Sequence, residues 1–181
     1  MRNLLQFSSA AALFLAGTLL AGASPTAAPG GSFQQNALTG CTNQWLFNGV
    51  WRVRVMTVAP ITKAGVNYPG YAVTLQSRNG SHQTVSWAYS GVSDPSLILD
   101  DGTVLQQDID STISWHNDFY KDLPQSAGFT HTLNFYMDSA VATPPKPAKL
   151  LIEVDPKKEG TTAPRYTTAT PSLRVDLTCS K

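Results

Sequence analysis

The chain has few cysteines, no excess of basic residues and no long apolar run beyond its N-terminus. Its 181 residues contain 2 Cys and 13 Lys and Arg, against 12 Asp and Glu. Proteins that bind nucleic acid or anionic membranes without specificity carry a basic excess, because contacts with phosphate dominate their affinity. We therefore expect no nucleic-acid partner. We also expect no membrane span, because no later segment approaches the roughly 20 consecutive apolar residues that cross a bilayer.

The common sequence motifs of catalysis are missing as well. The chain has no Gly-x-Ser-x-Gly motif and no glycine-rich phosphate-binding loop that opens a helix. Its three histidines, His82, His116 and His131, lack the spacing of a local metal site, although a sheet could still bring them together. Asp108 and Asp110 would share one face of a strand, as glycosidase carboxylates could, but a small sandwich offers little cleft. The sequence thus predicts no enzyme, no cofactor and no metal site.

The N-terminal residues have the features of a secretory signal peptide. An apolar run follows Arg2 and ends at Ala21-Gly22-Ala23, a small-x-small cleavage site. Residues 24–40 are rich in Ala, Pro, Gly and Ser, which is typical of a flexible leader. We predict a signal peptide at 1–23, a leader at 24–40 and a single domain at 41–181, secreted or held in the periplasm or cell envelope. Removal of Arg2 lowers the 13 basic residues to 12, which equals the 12 acidic residues.

The two cysteines, Cys41 and Cys179, lie near opposite ends of the predicted domain. In an oxidising compartment, two isolated cysteines favour a disulfide over a redox or metal site. In the chain-entropy model, closing so long a loop corresponds to about 5 kcal/mol of stabilisation. We predict a disulfide between Cys41 and Cys179.

Apolar and polar residues alternate with a period of two in several segments, which is typical of half-buried β-strands. Trp51, Val53 and Val55 alternate with Arg52 and Arg54, for example. No segment has a convincing helical pattern. The predicted strands are 51–56, 71–77, 84–88, 96–99, 103–107, 111–115, 129–137, 149–154 and 173–178.

Turn residues separate these predicted strands. Asp101-Gly102 predicts a β-hairpin, and Asn79-Gly80 predicts a second one with a longer loop. Prolines fall between the strands, where a missing backbone donor is harmless. The pattern favours an all-β fold, an antiparallel immunoglobulin-like sandwich of about seven to nine strands. A closed barrel is the alternative.

The segment 40–55 contains Cys41, Trp45 and the first strong alternation. If Trp51 faces the core, Arg52 and Arg54 face solvent on the opposite side of the strand. A disulfide at Cys41 would then link the first and last predicted strands. Trp45 stands at the entrance of the strand and either caps the core or faces a ligand.

Several segments occur in an order seen in a known group of domains. They are WRVRV at 51–55 with a following Pro60, YAVTLQSRN at 71–79, LILDDGTVL at 97–105 and LPQSAGFTHTLNF at 123–135. This order resembles bacterial secreted domains with an immunoglobulin-like, telokin-like sandwich, which include lipoprotein-type and immunoprotective-antigen-type extracellular domains of unknown function. In that group the second segment ends in Asn and the third carries an Asp-Gly hairpin. The resemblance implies a non-enzymatic secreted module, here without the anchoring cysteine of the lipoproteins.

Residues 114–120 mix aromatic and polar side chains. We single out Trp115, His116, Phe119 and Tyr120 as candidate ligand-binding residues because aromatic faces stack on sugar rings, although large aromatics more often fill a core. Aspartates are dense from Asp94 to Asp122, where turn chemistry explains most of them and calcium binding is the alternative. Residues 155–171 form a long loop, either mobile or functional.

Together these observations predict a secreted, non-catalytic binding or structural module with an unknown protein or glycan partner. Two alternatives stay open. One is a carbohydrate- or protein-ligand binder that uses the region from Trp115 to Tyr120. The other is a secreted protein that binds Ca²⁺, zinc or copper.

Overall fold

A computed structural model describes residues 37–158 and 166–181, and these residues form nine β-strands and one α-helix. The predicted signal peptide at 1–23 and nearly all of the predicted leader lie outside the described residues. The elements are β1 (Leu38–Thr42), β2 (Leu46–Phe47), β3 (Trp51–Lys63), β4 (Tyr68–Asn79), β5 (Ser96–Leu99), β6 (Val104–Leu105), α1 (Ile109–Phe119), β7 (Gly128–Tyr136), β8 (Pro147–Ile152) and β9 (Leu173–Ser180).

The strands form two sheets whose buried residues share one hydrophobic core. One sheet has the order β1-β9-β8-β5-β6 and the other has the order β2-β3-β4-β7. The chain is therefore an all-β sandwich, as predicted. The strand pairs are antiparallel except that β1 runs parallel to β9, with Leu38 opposite Leu173. The predicted antiparallel sandwich is confirmed, and β1–β9 is the one parallel pair among the described strands.

Alternation along β3 and β4 sends every second side chain into the core. Trp51, Val53 and Val55 have no exposed surface. Trp87 lies at the centre of an aromatic cluster, with its ring 5.0 Å from that of Trp51 and 5.4 Å from that of Trp115. At about 25 cal/mol per Å² of buried apolar surface, each indole contributes roughly 4–6 kcal/mol of hydrophobic free energy.

The disulfide and the Asp-Gly hairpin are both confirmed. Cys41 and Cys179 are bonded across a sequence separation of 138 residues and join β1 to β9. The Asp101-Gly102 turn links β5 to β6, and Gly102 adopts a φ of 89° that favours glycine. Asp101 accepts hydrogen bonds from the backbone N–H and the hydroxyl of Thr103, as turn aspartates do.

Two predicted strands are wrong. Residues 111–115 lie in α1, which begins after its N-cap Asp108. Residues 84–88 form no strand, because only Val85 makes an isolated bridge, with Leu123, before a short 3-10 turn at Ala88–Ser90. The hairpin predicted at Asn79-Gly80 is therefore wrong as well. The loop after β4 instead places Trp87, which has no exposed surface, in the core.

The described residues belong to one compact unit. Its first strand begins at Leu38, so the ordered sheet includes three residues that the sequence analysis assigned to the leader. No helix in the described part of the chain has the length and apolar character that a membrane crossing requires.

Candidate functional site

The outer face of the four-stranded sheet carries two exposed aromatic rings among three arginines. Trp45 is 37% exposed and Phe47 is 42% exposed, although both are large apolar side chains. The guanidinium of Arg52 lies over the ring of Phe47, and those of Arg54 and Arg78 lie over the ring of Trp45. We call these five residues the cationic–aromatic face.

The pairing of three strands builds this face. Arg52 and Arg54 alternate with buried residues of β3, so both point away from the core. Arg78 lies opposite Arg52 in the β3–β4 register, and Phe47 lies opposite Arg52 in the β2–β3 register. Directly paired residues on one face have Cβ atoms about 5 Å apart, close enough for long side chains to contact.

A tight turn beside the disulfide presents Trp45. Asn43 adopts a left-handed conformation with φ of 67°, and its N–H donates to the carbonyl of Val55 at 2.8 Å. The Gln44 side chain accepts from the Cys41 N–H at 3.1 Å, and the Gln44 N–H donates to the Cys41 carbonyl at 3.1 Å. The half-cystine therefore anchors the turn from which the indole projects.

The three arginines have no carboxylate partner among the described residues. Their guanidinium carbons lie 4.8 to 5.5 Å from the aromatic ring centroids. Within the described parts of the chain, no Asp or Glu oxygen lies within 4.0 Å of any of them. The Arg54 Nε donates only to the neutral side chain of Gln76, at 3.2 Å. Three positive charges are thus concentrated on a chain whose mature form is predicted to be neutral.

A cleft of about 240 Å³ opens beside these arginines. Arg52 and Arg78 form its charged wall, and the turn before β7 contributes Gln125 and Ser126. Asn79 also lines the cleft, but its side-chain amide is occupied by hydrogen bonds to the loop that follows β4 and to the carbonyl of Leu123 before β7. The cleft therefore offers charged donors and small polar groups to a ligand.

The candidate ligand-binding residues of α1 separate into two groups. Trp115 has no exposed surface and Phe119 is buried, since both pack on the core aromatics. Tyr120 is exposed, as is the neighbouring Tyr89, with ring centroids 6.2 Å apart. His116 is half exposed, and its Nε2 lies 3.9 Å from Asp94 Oδ1. A ligand at this surface would meet Tyr89, His116 and Tyr120.

The structure does not gather the histidines or the aspartates. Among the described residues, no group of three or more His, Cys, Asp or Glu side chains is placed to hold a metal ion. His131 Nδ1 lies 3.4 Å from Asp118 Oδ2, on the inner side of α1. Asp100 and Asp101 accept hydrogen bonds from nearby backbone N–H groups. Asp100 and Asp101 thus serve turns, Asp108 caps a helix, and Asp94 and Asp118 each lie beside one histidine.

A larger cavity of about 560 Å³ lies at the far end of the β3–β4 hairpin. Lys63 donates to Asp108 at 2.5 Å on its wall, and this hydrogen bond raises the pKa of Lys63 above its usual range. Gln107 also lines the cavity, and its amide atoms are buried without a hydrogen-bond partner in the described structure. The lining carries both signs of charge and gives no clear preference for one ligand.

Comparisons with known proteins identify a structural neighbour. No protein-family model matches the chain, and no curated protein is significantly similar to it. A solved structure that resembles it is that of MPT63, a secreted protein from Mycobacterium tuberculosis. The two are 14% identical, with a TM-score of 0.46, and the similarity covers 79% of this chain and 99% of MPT63. The strand order and register of the chain itself define its fold.

Sequence reasoning identified only part of the cationic–aromatic face. Trp45, Arg52 and Arg54 stand out in the printed sequence, because they flank and occupy the first alternating strand. No local sequence pattern marks Phe47 or Arg78 as part of this face. Both lie beside Arg52 because of the registers of β2 and β4 with β3.

Proposed function

We propose that this protein is an exported, non-catalytic binding module, and that the cationic–aromatic face binds a negatively charged ligand. The signal-peptide features of residues 1–23 support export. The disulfide between Cys41 and Cys179 also supports it, because such bonds persist in oxidising compartments. The buried tryptophans and the two sheets provide the rigid support for the face.

One observation carries this proposal: Arg52, Arg54 and Arg78 share one face, and no carboxylate of residues 37–158 or 166–181 lies within ion-pair distance of them. Guanidinium groups bind carboxylate, sulfate and phosphate through paired, charge-assisted hydrogen bonds. Aromatic rings beneath the guanidiniums hold them in fixed planes at a modest energetic gain. An anion would supply the partner that the described part of the chain does not.

The test is calorimetric titration of residues 24–181 with a sulfated polymer and with its uncharged parent. We expect saturable binding of the charged polymer alone, weakened by salt because exposed charges are screened. The double variant Arg52→Gln/Arg78→Gln should bind at least tenfold more weakly. A matched control, Lys121→Gln/Lys157→Gln, removes the same charge elsewhere on the exposed surface. If both double variants lose the same affinity for the charged polymer, binding depends on net charge alone and the proposal is wrong.

We also propose membership of the telokin-like group of secreted domains for the chain. The support is local: β4 ends at Asn79, and the Asp101-Gly102 hairpin joins two strands of the other sheet. A structure of a member of that group in which the corresponding segments form different elements would count against membership.

A second candidate surface is formed by Tyr89, His116 and Tyr120, the exposed part of the region singled out in the sequence. The two tyrosine rings meet edge to face at an interplanar angle of 70°, so they form a notch rather than a flat platform. Such a notch suits a neutral sugar or a partner side chain. Loss of neutral-glycan binding in Tyr89→Ala/Tyr120→Ala, with polyanion binding unchanged, would support this second surface.

A further inference from the structure

We infer that the ligand of the cationic–aromatic face is an acidic polysaccharide, with one anionic group in the cleft between Arg52 and Arg78 and a sugar ring packed on Trp45. This inference rests on the proposed function and makes it more specific. It depends on the size of the cleft, the fixed orientation of the arginines and the neutral polar surface beside them.

The cleft admits a small charged group. At about 240 Å³ it is below the roughly 300 Å³ at which pockets for drug-sized molecules begin. Its charged wall comes from Arg52 and Arg78, which are direct partners across β3 and β4. Gln125 and Ser126, both exposed, add neutral polar groups to the lining of the cleft. This combination fits the oxyanion of one sugar residue together with its hydroxyl groups.

Stacking on the aromatic rings fixes the orientation of the arginine side chains before such a ligand binds. Arg52 lies 5.1 Å from the Phe47 centroid, and Arg54 lies 4.8 Å from the Trp45 centroid. A guanidinium packed on a ring keeps its N–H edge free while losing side-chain freedom before the ligand arrives. Gly80 permits this packing, because a Cβ there would lie 2.6 Å from Phe47 Cε2 and 3.1 Å from Arg52 Cγ.

The surface next to the arginines favours a saccharide over an acidic peptide. Outward residues of β4 and β7 present amide and hydroxyl groups, including Gln76, Thr74 and Thr132, and the two threonine hydroxyls lie 2.9 Å apart. These neutral groups complement the hydroxyls along a sugar chain. The exposed part of the Trp45 indole complements the apolar face of a sugar ring. The cleft between the arginines is lined by charged and polar residues rather than by the apolar side chains of a pocket that anchors a peptide side chain.

The decisive experiment compares three probes on the mature protein by calorimetry: a uronic-acid oligosaccharide, its carboxyl-reduced neutral form and a poly-glutamate peptide of equal charge. A sulfated oligosaccharide of equal length serves as a fourth arm that separates sulfate from carboxylate recognition. We expect the acidic oligosaccharide to bind at least tenfold more tightly than either the neutral form or the peptide.

Variants then test the assigned contacts. Trp45→Ala should weaken oligosaccharide binding at least tenfold, whereas Trp45→Phe should restore most of it because a flat ring remains. Gly80→Ala should also weaken binding by displacing Phe47 and Arg52, and Ile113→Ala, at an exposed position of α1, should leave it unchanged. Thermal unfolding of each variant checks the fold, and Arg54→Gln is a second probe if Trp45→Ala fails to fold.

The outcomes separate this inference from the proposed function. If the peptide binds as tightly as the oligosaccharide and Trp45→Ala has no effect, the face binds anions but the saccharide assignment is wrong. If no charged probe binds, both the anion proposal and this inference are wrong. Loss of binding in Tyr89→Ala equal to that in Trp45→Ala would move the sugar site to the other surface.

Discussion

Asn79 shows how one side chain can organise a loop. It is almost fully buried at the end of β4, and its amide N–H groups donate to the carbonyls of Gln83 at 2.6 Å and Leu123 at 2.9 Å. Its oxygen accepts from the N–H and hydroxyl of Ser81. Although Asn79-Gly80-Ser81 fits an N-glycosylation acceptor, the amide is fully engaged in the fold.

We predict that Asn79→Ala lowers the free energy of unfolding by about 3 kcal/mol, because it removes four hydrogen bonds and leaves buried groups unpaired. Urea denaturation of the purified protein measures this change. Asn117→Ala is the matched control, because Asn117 is exposed on α1 and its loss should cost less than about 0.5 kcal/mol. A comparable effect in both variants would contradict the assigned role.

Tyr166 connects the described end of the 155–171 loop to the core. Its hydroxyl donates to the carbonyl of Ser90 at 2.5 Å, and Ser90 itself is fully buried. Burial raises the pKa of Tyr166 from 10.0 to about 12. The neutral phenol is thus favoured in the folded state. Its contribution to the free energy of unfolding is complete below pH 10 and is lost as the pH rises from 10 to 12.

From this we predict a shallower alkaline loss of stability in Tyr166→Phe than in the unmodified protein. A difference of about two pKa units corresponds to roughly 2–3 kcal/mol lost across the window. The free energies of unfolding of the unmodified protein and of Tyr166→Phe, measured from pH 8 to pH 12, should therefore converge as the pH rises. Parallel curves for the two proteins would mean that Tyr166 titrates normally.

At the scale of residues, the sequence predicted the alternating positions better than the contacts between them. Arg52 and Arg54 lie on the outer face, as the alternation in β3 indicated. Phe47 and Arg78 could not be predicted, because a shift of one residue in register would move their side chains to the other side of the sheet. The anion site therefore depends on strand pairing as much as on composition.

Among the elements, α1 depends on its first turn. Asp108 is the N-cap, and its carboxylate accepts from the Asp110 N–H at 3.3 Å while also pairing with Lys63. A side-chain acceptor at this position satisfies a helix N–H that has no partner within the helix. The carboxylate also lies at the positive end of the helix dipole.

We predict that Asp108→Ala lowers the free energy of unfolding by about 1–2 kcal/mol, whereas Asp108→Asn, which keeps the cap acceptor, costs less. Lys63→Met should cost less than Asp108→Ala, because the lysine is exposed and surface ion pairs contribute little. Chemical denaturation of the three variants compares these effects. If Lys63→Met cost as much as Asp108→Ala, the ion pair rather than the cap would be responsible.

The helix was missed for a definable reason. Ile109, Ile113 and Trp115 all have odd numbers, which mimics the period of a strand. Two signals favour the helix instead: the cap at Asp108 and the i, i+4 pair of Trp115 and Phe119, whose rings lie 5.9 Å apart. Residues 84–88 were misassigned because aromatic residues are frequent in strands, whereas Trp87 enters the core from a loop.

In the whole molecule, the disulfide links stability to the proposed binding face. It joins the edge strand β1 to its parallel neighbour β9, and the Cys41 backbone also holds Gln44 in the turn that carries Trp45. Residues 40–55 therefore contribute both to the core and to the cationic–aromatic face. The segment is a stapled core strand on its inner face and a row of arginines with an aromatic partner on its outer face.

We predict that Cys41→Ser/Cys179→Ser lowers the free energy of unfolding by up to about 5 kcal/mol, since the lost link closes a very long loop. For a domain of this size the melting temperature should fall by about 10–20 °C.

At a temperature where the variant is still folded, its polyanion affinity should fall several-fold, because the turn that orients Trp45 loses its anchor. The variant Trp45→Ala isolates that second effect. The triple variant Cys41→Ser/Cys179→Ser/Trp45→Ala should bind no more weakly than Trp45→Ala alone. Without the indole, a change in the conformation of the turn no longer affects a contact with the ligand. A further loss in the combined variant would mean instead that the disulfide supports the arginines through the sheet.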